Sequence, residues 1–229
     1  MDWKSQYFKL KKIISLPGTK DWLIGTEIEY GGMVSNIFRK KASPKDPRSK
    51  KQLNQGGMRG GDRMLYLNYA AKYAQYLDFF VKNDHKITIA EFGILQGTGL
   101  AIWCDLFPNG KILGFDIDLS YMKNNLSHLK KLGAFKYNQP KLYELDMYMD
   151  NTKLLGKILL GEKIDIAIDD GVHDRETIIN TIKSVLPYLA DNFVYFIEDN
   201  GTIHQEIRLM YPNLKIDNKG LLTIVSKLV

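Results

Sequence analysis

Residues 87–118 read ITIAEFGILQGTGLAIWCDLFPNGKILGFDID, and this stretch decides the fold. Ile87, Ile89 and Phe92 fall in a short apolar run that suits a buried parallel strand. Gly93, Gly97 and Gly99 punctuate the turn that follows, where the lack of a Cβ lets backbone N–H groups approach a ligand. From about Thr98 to Phe107 the sequence reads as a helix, whose positive N-terminal end would be aimed at that ligand. A second strand, Ile112 to Phe115, ends in Asp116, a carboxylate suited to the hydroxyls of a ribose. Together these features predict a nucleoside-containing cofactor lying across the sheet.

The glycines run G-x-x-x-G-x-G, out of register with the dinucleotide fingerprint, and no GK[ST] follows them. The loop carries no lysine or arginine to meet a phosphate. Glu91, two residues before the first glycine, would repel a pyrophosphate and welcome a sulfonium or an amino group. S-adenosylmethionine offers both, plus the ribose for Asp116. The competing readings are dinucleotide binding and a glycine turn without a ligand.

Working outward, 229 residues fit one domain with a sizeable core. The 45% hydrophobic and 25% charged composition is that of an ordinary soluble globule. Cys104 is the single cysteine, which excludes an intrachain disulfide and a cysteine-rich metal site. No apolar run is long enough to span a bilayer, and the N-terminal MDWKSQYFKLKKII has no long apolar core of a signal peptide. A cytoplasmic location and no membrane partner are therefore expected. Much of the net charge of +6 sits in Arg39 to Lys51, RKKASPKDPRSKK, which has seven basic residues, one acid and two prolines. This run reads as a mobile loop: a solvated linker, a lid over a site, or a nucleic-acid contact, although it lacks aromatics for base stacking. QGGMRGG at 55–61 reads as a second hinge, and residues 1–61 as an N-terminal extension or lid before a domain at 62–229.

Asp62 reads as the N-cap of a helix reaching Val81, with Leu65, Tyr69, Tyr73, Tyr76, Leu77 and Phe80 at helical spacing. Beyond Asp116, Leu119–Leu132 is expected as a helix closed by Gly133. A third strand is expected near Leu142–Leu145, ending at Asp146, which could accept from an adenine amino group. Helices at Asn151–Leu160, Asp174–Leu189 and Thr202–Tyr211 alternate with strands at Ile164–Ile168 and Phe193–Ile197. A closing hairpin turns through Asp217 to Gly220. The expectation is an α/β, Rossmann-like doubly wound fold, with a mainly parallel seven-stranded sheet and an antiparallel C-terminal hairpin. Ligands of such sheets bind at the carboxyl ends of the strands, which gathers Glu91, Asp116, Asp146, Asp169, Asp170, Glu198 and Asp199 on one rim.

Two of these acids follow one strand in IDDGVH and two follow the next in YFIEDN. Carboxylates converging there repel one another unless a cation sits among them, and hard oxygen ligands favour Mg²⁺ or a similar divalent ion. His173, three residues past Asp170, is within reach as a general base. The plainer alternative is that these acids are helix caps and loop residues, Asp174 being a cap in either case.

The glycine-loop stretch resembles the cofactor motifs of class I S-adenosylmethionine-dependent methyltransferases. IDDGVH and YFIEDN resemble a narrower group, the metal-dependent sugar O-methyltransferases of macrolide pathways and the cephalosporin-pathway methyltransferase-like proteins. The resemblance covers roughly residues 60–200. It implies S-adenosylmethionine as cofactor, with Glu91, Gly93, Gly97, Thr98, Asp116, Asp146 and Asp169 on the cofactor side. It further implies Asp170, Glu198 and Asp199 as magnesium ligands, and His173 with Asp170 as the catalytic pair. Val172 stands where the group has a serine. The activity implied is O-methylation of a sugar or other small polar molecule, by a chain that could form a homo-oligomer. A nucleic-acid methyltransferase using the basic run and a non-catalytic cofactor-binding protein are the alternatives.

Overall fold

The computed structural model describes residues 3–32, 62–83 and 86–228. The basic run 39–51 and the glycine hinge 55–61 lie outside the described residues. Contacts divide the chain into two compact units. One comprises residues 1–85, 96–108 and 120–138; the other comprises 86–95, 109–119 and 139–229.

The first unit is helical. Residues 3–31, for which the sequence predicted no element, contain α1 (Trp3–Ile14) and α2 (Lys20–Gly31). The two touch closely at Gly25, where an added Cβ would lie 2.5 Å from the Phe8 carbonyl oxygen and 2.6 Å from Lys12 Cβ. The helix expected from Asp62 to Val81 is two pieces. A π-helical turn spans Asp62–Tyr66, and α3 runs from Ala70 to Lys82. Asn68 between them has φ 58, and this left-handed residue breaks the repeat. The tyrosine spacing is a core pattern: Tyr69, Tyr73, Tyr76, Leu77 and Phe80 are all buried. Tyr73 stacks on Trp103 of α4 (Thr98–Leu106) with centroids 5.6 Å apart. The last helix of this unit is α5 (Ser120–Lys131).

Glu27 of α2 is buried with them, and its Oε2 accepts from the Met64 backbone N–H at 2.9 Å. Burial, reinforced by nearby Asp62, pushes its carboxyl up to about 8 against the opposing pull of Arg63.

The second unit is built on a seven-stranded sheet. Its strands are β1 (Thr88–Phe92), β2 (Lys111–Asp116), β3 (Lys141–Glu144), β4 (Ile164–Asp169), β5 (Leu189–Ile197), β6 (Lys215–Lys219) and β7 (Leu222–Lys227). The order is β3-β2-β1-β4-β5-β7-β6, parallel from β3 through β5 and antiparallel across β7 and β6. This is the doubly wound sheet with a closing hairpin that the alternation of elements predicts. Every residue of β1 is buried, as a central parallel strand requires. Phe92 and Phe115 stack at 4.8 Å, and Tyr143 adds to Phe115 at 5.5 Å.

Helices α6 (Thr152–Leu159), α7 (Arg175–Val185) and α8 (Ile203–Met210) complete this unit. Asp174 caps α7, its Oδ1 accepting from Thr177 N–H at 2.8 Å. The helix expected to reach Leu189 stops at Val185, because Pro187 cannot continue the ladder and a 3₁₀ turn spans Leu186–Tyr188. β5 then begins at Leu189, earlier than the sequence pattern suggests; Asp191 and Asn192, poor strand formers, mask its start.

Candidate active site

The parallel strands end level with one another. Phe92 pairs with Phe115 and with Asp169, and Asp169 pairs with Ile197. Just past those ends the backbones stay bonded: Gly93 N–H donates to Phe115 O at 2.8 Å, Asp170 N–H to Phe92 O at 2.8 Å, and Glu198 N–H to Asp169 O at 2.9 Å. Asp116, Asp170 and Glu198 therefore emerge on one edge of the sheet.

Asp116 organises the loop after β1. Its Oδ2 accepts from the Ile94 and Leu95 N–H groups at 3.0 and 2.9 Å, and its Oδ1 from Asp118 N–H at 3.1 Å. A carboxylate has about four acceptor positions, so among the described residues three are taken. Asp118, two residues on and partly exposed, is a second carboxylate at this strand end that sequence reasoning passed over. The alternation in FDID was its only signal.

Asp146 is similarly occupied, as its Oδ1 accepts from Tyr148 N–H at 2.9 Å in a turn of its own loop. Glu91 lies inside β1, buried. Gly93 has φ 87, and a Cβ there would stand 2.2 Å from the Asp170 carbonyl oxygen, so only glycine lets β1 and β4 close at this point. Gly97 and Thr98 belong to the first unit, where Gly97, at φ 81, precedes α4 and lies against Met122.

Asp169 is 1% exposed, and its Oδ1 is buried with no hydrogen-bond partner among the described residues. Its Oδ2 accepts from the Tyr195 hydroxyl at 3.2 Å. Burial is the main cause that pushes this carboxyl up to about 7, with Asp170 and Asp174 adding to it and Tyr195 and the Gly171 amide opposing. Burial also raises the Tyr195 phenol well above its ordinary range. Tyr195 sits mid-strand in an apolar run and carried no sequence signal beyond packing. The orphaned oxygen fits a donor or cation supplied by a ligand, and the amino group of S-adenosylmethionine is such a donor.

Asp170, His173 and Asp199 come together. One ligand atom from each lies within 4.8 Å of the others. His173 Nε2 stands 3.9 Å from Asp170 Oδ1 and 4.0 Å from Asp199 Oδ2, and all three side chains are partly open. The Nδ1 atom of His173 is buried and has no hydrogen-bond partner among the described residues. Asn200 Nδ2 donates to the His173 carbonyl at 2.9 Å, holding that loop. His173 and Asp199 both have left-handed backbones, φ 66 and 57, which are strained for residues with a Cβ.

Two carboxylates this close suit a divalent cation as hard oxygen ligands, with the imidazole beside them. Glu198, expected as a third carboxylate ligand, is 2% exposed and is not among the three.

No protein-family model matches the sequence, and no curated protein matches it. Solved structures do. MycE methyltransferase from the mycinamycin biosynthetic pathway, in complex with Mg and SAH, aligns over 68% of this chain and 49% of its own at 18% identity, with a TM-score of 0.52. Cofactor-bound Rv0187 from MTB aligns over 67% of this chain and 78% of its own at 12% identity, with a TM-score of 0.51. This chain thus spans about half the length of the MycE chain it matches. Sheet order, closing hairpin and these neighbours make the fold that of the class I methyltransferases.

Proposed function

We propose that the chain is an S-adenosylmethionine-dependent O-methyltransferase acting on a hydroxyl of a sugar or other small polar molecule. The observation that carries this is the Asp170–His173–Asp199 constellation at the strand ends of a methyltransferase fold. A MycE structure holds Mg, SAH and mycinamycin VI, which supports an acceptor of that kind here.

Asp170 and Asp199 would hold a divalent cation with His173 beside it and Glu198 behind, and the bound cation would acidify the acceptor hydroxyl. His173 Nε2 takes the hydroxyl proton. Asp169 Oδ1 accepts from the cofactor's amino group, and Asp116 is assigned to its ribose. Glu91, Gly93 and Asp146 are assigned to the cofactor, Asp146 to its adenine, and for Gly97 and Thr98 of the other unit the same assignment rests on the sequence motif alone. Orientation is most of what displacement at a sulfonium needs. Residues 1–61 are assigned to acceptor entry and 62–229 to methyl transfer.

Calorimetry with S-adenosylhomocysteine, and separately with MgCl₂ and MnCl₂ after EDTA treatment, tests the reading. S-adenosylhomocysteine should bind with micromolar or tighter affinity, on the order of −8 kcal/mol. His173→Ala should retain cofactor and slow methyl transfer about a hundredfold. Tight NAD binding would overturn the cofactor, and full activity in EDTA would remove the metal. Binding to RNA that falls steeply with salt would favour a nucleic-acid substrate.

A further inference from the structure

Helix α1 buries none of its own residues. Its inner side is set by the contact of Phe8 and Lys12 with Gly25 of α2. On the other side Trp3, Tyr7, Leu10, Ile13 and Ile14 are 70%, 49%, 63%, 77% and 78% exposed. At 3.6 residues per turn these five fall within about a third of the helix circumference, opposite Phe8. Leu16, just past the helix, is exposed as well.

Lysines border the stripe. Lys9 falls on one side of it, and Lys4 and Lys11 on the other. The Lys4 ammonium lies 5.7 Å from the Trp3 ring centroid and the Lys11 ammonium 5.8 Å from that of Tyr7. The helix, WKSQYFKLKKII, contains four lysines and no acid.

An apolar stripe of this size on a soluble protein marks a binding surface. The charge pattern chooses among occupants. A second copy docking through α1 would bring another Lys4 and Lys9 against these, since Lys11 is paired with Asp21 and Lys12 with Glu29. An anionic bilayer instead meets the lysines with phosphates while the stripe enters the boundary between headgroups and acyl chains. Twelve residues extend only about 18 Å, enough to lie in that boundary and too short to cross it. No helix among the described residues is long and apolar enough to span a membrane.

We propose that α1 is an interfacial anchor, which lays Trp3, Tyr7, Leu10, Ile13 and Ile14 on the surface of an anionic phospholipid bilayer with Lys4 and Lys9 at the headgroups, while Lys11 is held by Asp21 at 3.3 Å. This revises the sequence expectation of no membrane partner.

The test is co-sedimentation of the full chain with phosphatidylcholine vesicles, with and without phosphatidylglycerol. Binding should require the anionic lipid and fall as salt is raised. Lys4→Gln and Lys9→Gln should each weaken it about fivefold. Leu10→Glu with Ile14→Glu should abolish it while leaving the melting temperature unchanged, since both side chains face outward.

Tryptophan emission supplies an independent reading. The chain has three tryptophans, and Trp22 and Trp103 are buried. A blue shift on adding anionic vesicles, lost in Trp3→Phe, therefore reports α1 itself. Equal binding to neutral vesicles, no binding to either, or a lipid-free dimer that the double glutamate variant dissociates would each overturn the proposal.

Discussion

Replacing Gly93 by alanine probes the point where the two halves of the site depend on each other. A Cβ at this position would lie 2.2 Å from the Asp170 carbonyl oxygen and 2.5 Å from both Asp170 C and Gly171 Cα. Unbonded carbons keep about 3.5 Å, so backbone has to move by roughly 1 Å. Little slack exists, because Asp170 N–H is bonded to Phe92 O and Gly93 N–H to Phe115 O, each at 2.8 Å. The left-handed φ of 87 adds about 1 kcal/mol for an alanine, and overpacking adds about 1–3 kcal/mol. At about 2–4 °C per kcal/mol for a chain of this size, the melting temperature should fall by roughly 5–15 °C.

Gly161→Ala is the matched control in the same unit. It has φ 89 with nothing within 4 Å of its Cβ, so it carries the backbone term alone, about 1 kcal/mol. Displacing Asp170 should also weaken Mn²⁺ binding by calorimetry about tenfold or more, the scale of lost ligand positioning. If Gly93→Ala melts within a degree of Gly161→Ala, the close approach of β1 and β4 does not exist. If it melts early yet binds Mn²⁺ normally, Asp170 is not placed by this contact.

Glu27→Gln should flatten part of the pH dependence of stability. The folded carboxyl is raised from 4.5 to about 8, so the folded state holds the proton more tightly. Its contribution is fully present below about pH 4.5 and is lost as pH rises to 8, on the order of a few kcal/mol in total. Wild type should therefore lose melting temperature between pH 5 and 9 relative to the variant, and parallel curves would contradict the burial argument. Asp116→Ala should weaken S-adenosylhomocysteine at least about tenfold and lower stability by about 1–3 kcal/mol, since three amides lose their acceptor; calorimetry and urea melts read the two separately. Asp199→Gly and Asp199→Ala should both lose metal affinity, yet the glycine variant should be the more stable by about 1 kcal/mol, because it relaxes a left-handed residue.

The sheet was legible because its signals are local. Short apolar runs alternate with helical periods from residue 87 onward, and β1 through β5 follow them in order. The ends of elements were less so. Pro187 marks where α7 must stop, but Asp191 and Asn192 hide the start of β5, because tertiary pairing overrides their poor strand propensity. The helices α1 and α2 escaped notice for a related reason. α1 carries its apolar stripe on the exposed side and α2 buries eight of its twelve residues, so neither shows the one-sided burial that the sequence-level pattern assumes. The candidate site was legible as a set of acids on one rim. What could not be read was how many acceptor positions of each acid the protein itself consumes: three of Asp116, one of Asp146, one of Asp169 and none of Asp169 Oδ1.

Glu198 and Asp199 are adjacent in the sequence yet lie in different surroundings. Glu198 continues β5 by one residue, its N–H bonded to Asp169 O, and its side chain stays in the interior. Asp199 then takes a left-handed turn, and this brings its carboxylate to within 4.0 Å of His173 Nε2. His173 makes a left-handed turn of its own at the end of the facing loop. Glycine would relieve either turn and asparagine would suit it better than histidine, so stability alone does not account for these two residues. Strain of about 1 kcal/mol at each of two positions, kept in side chains that converge on one partly open point, is the pattern expected where chemistry rather than folding selects the residue.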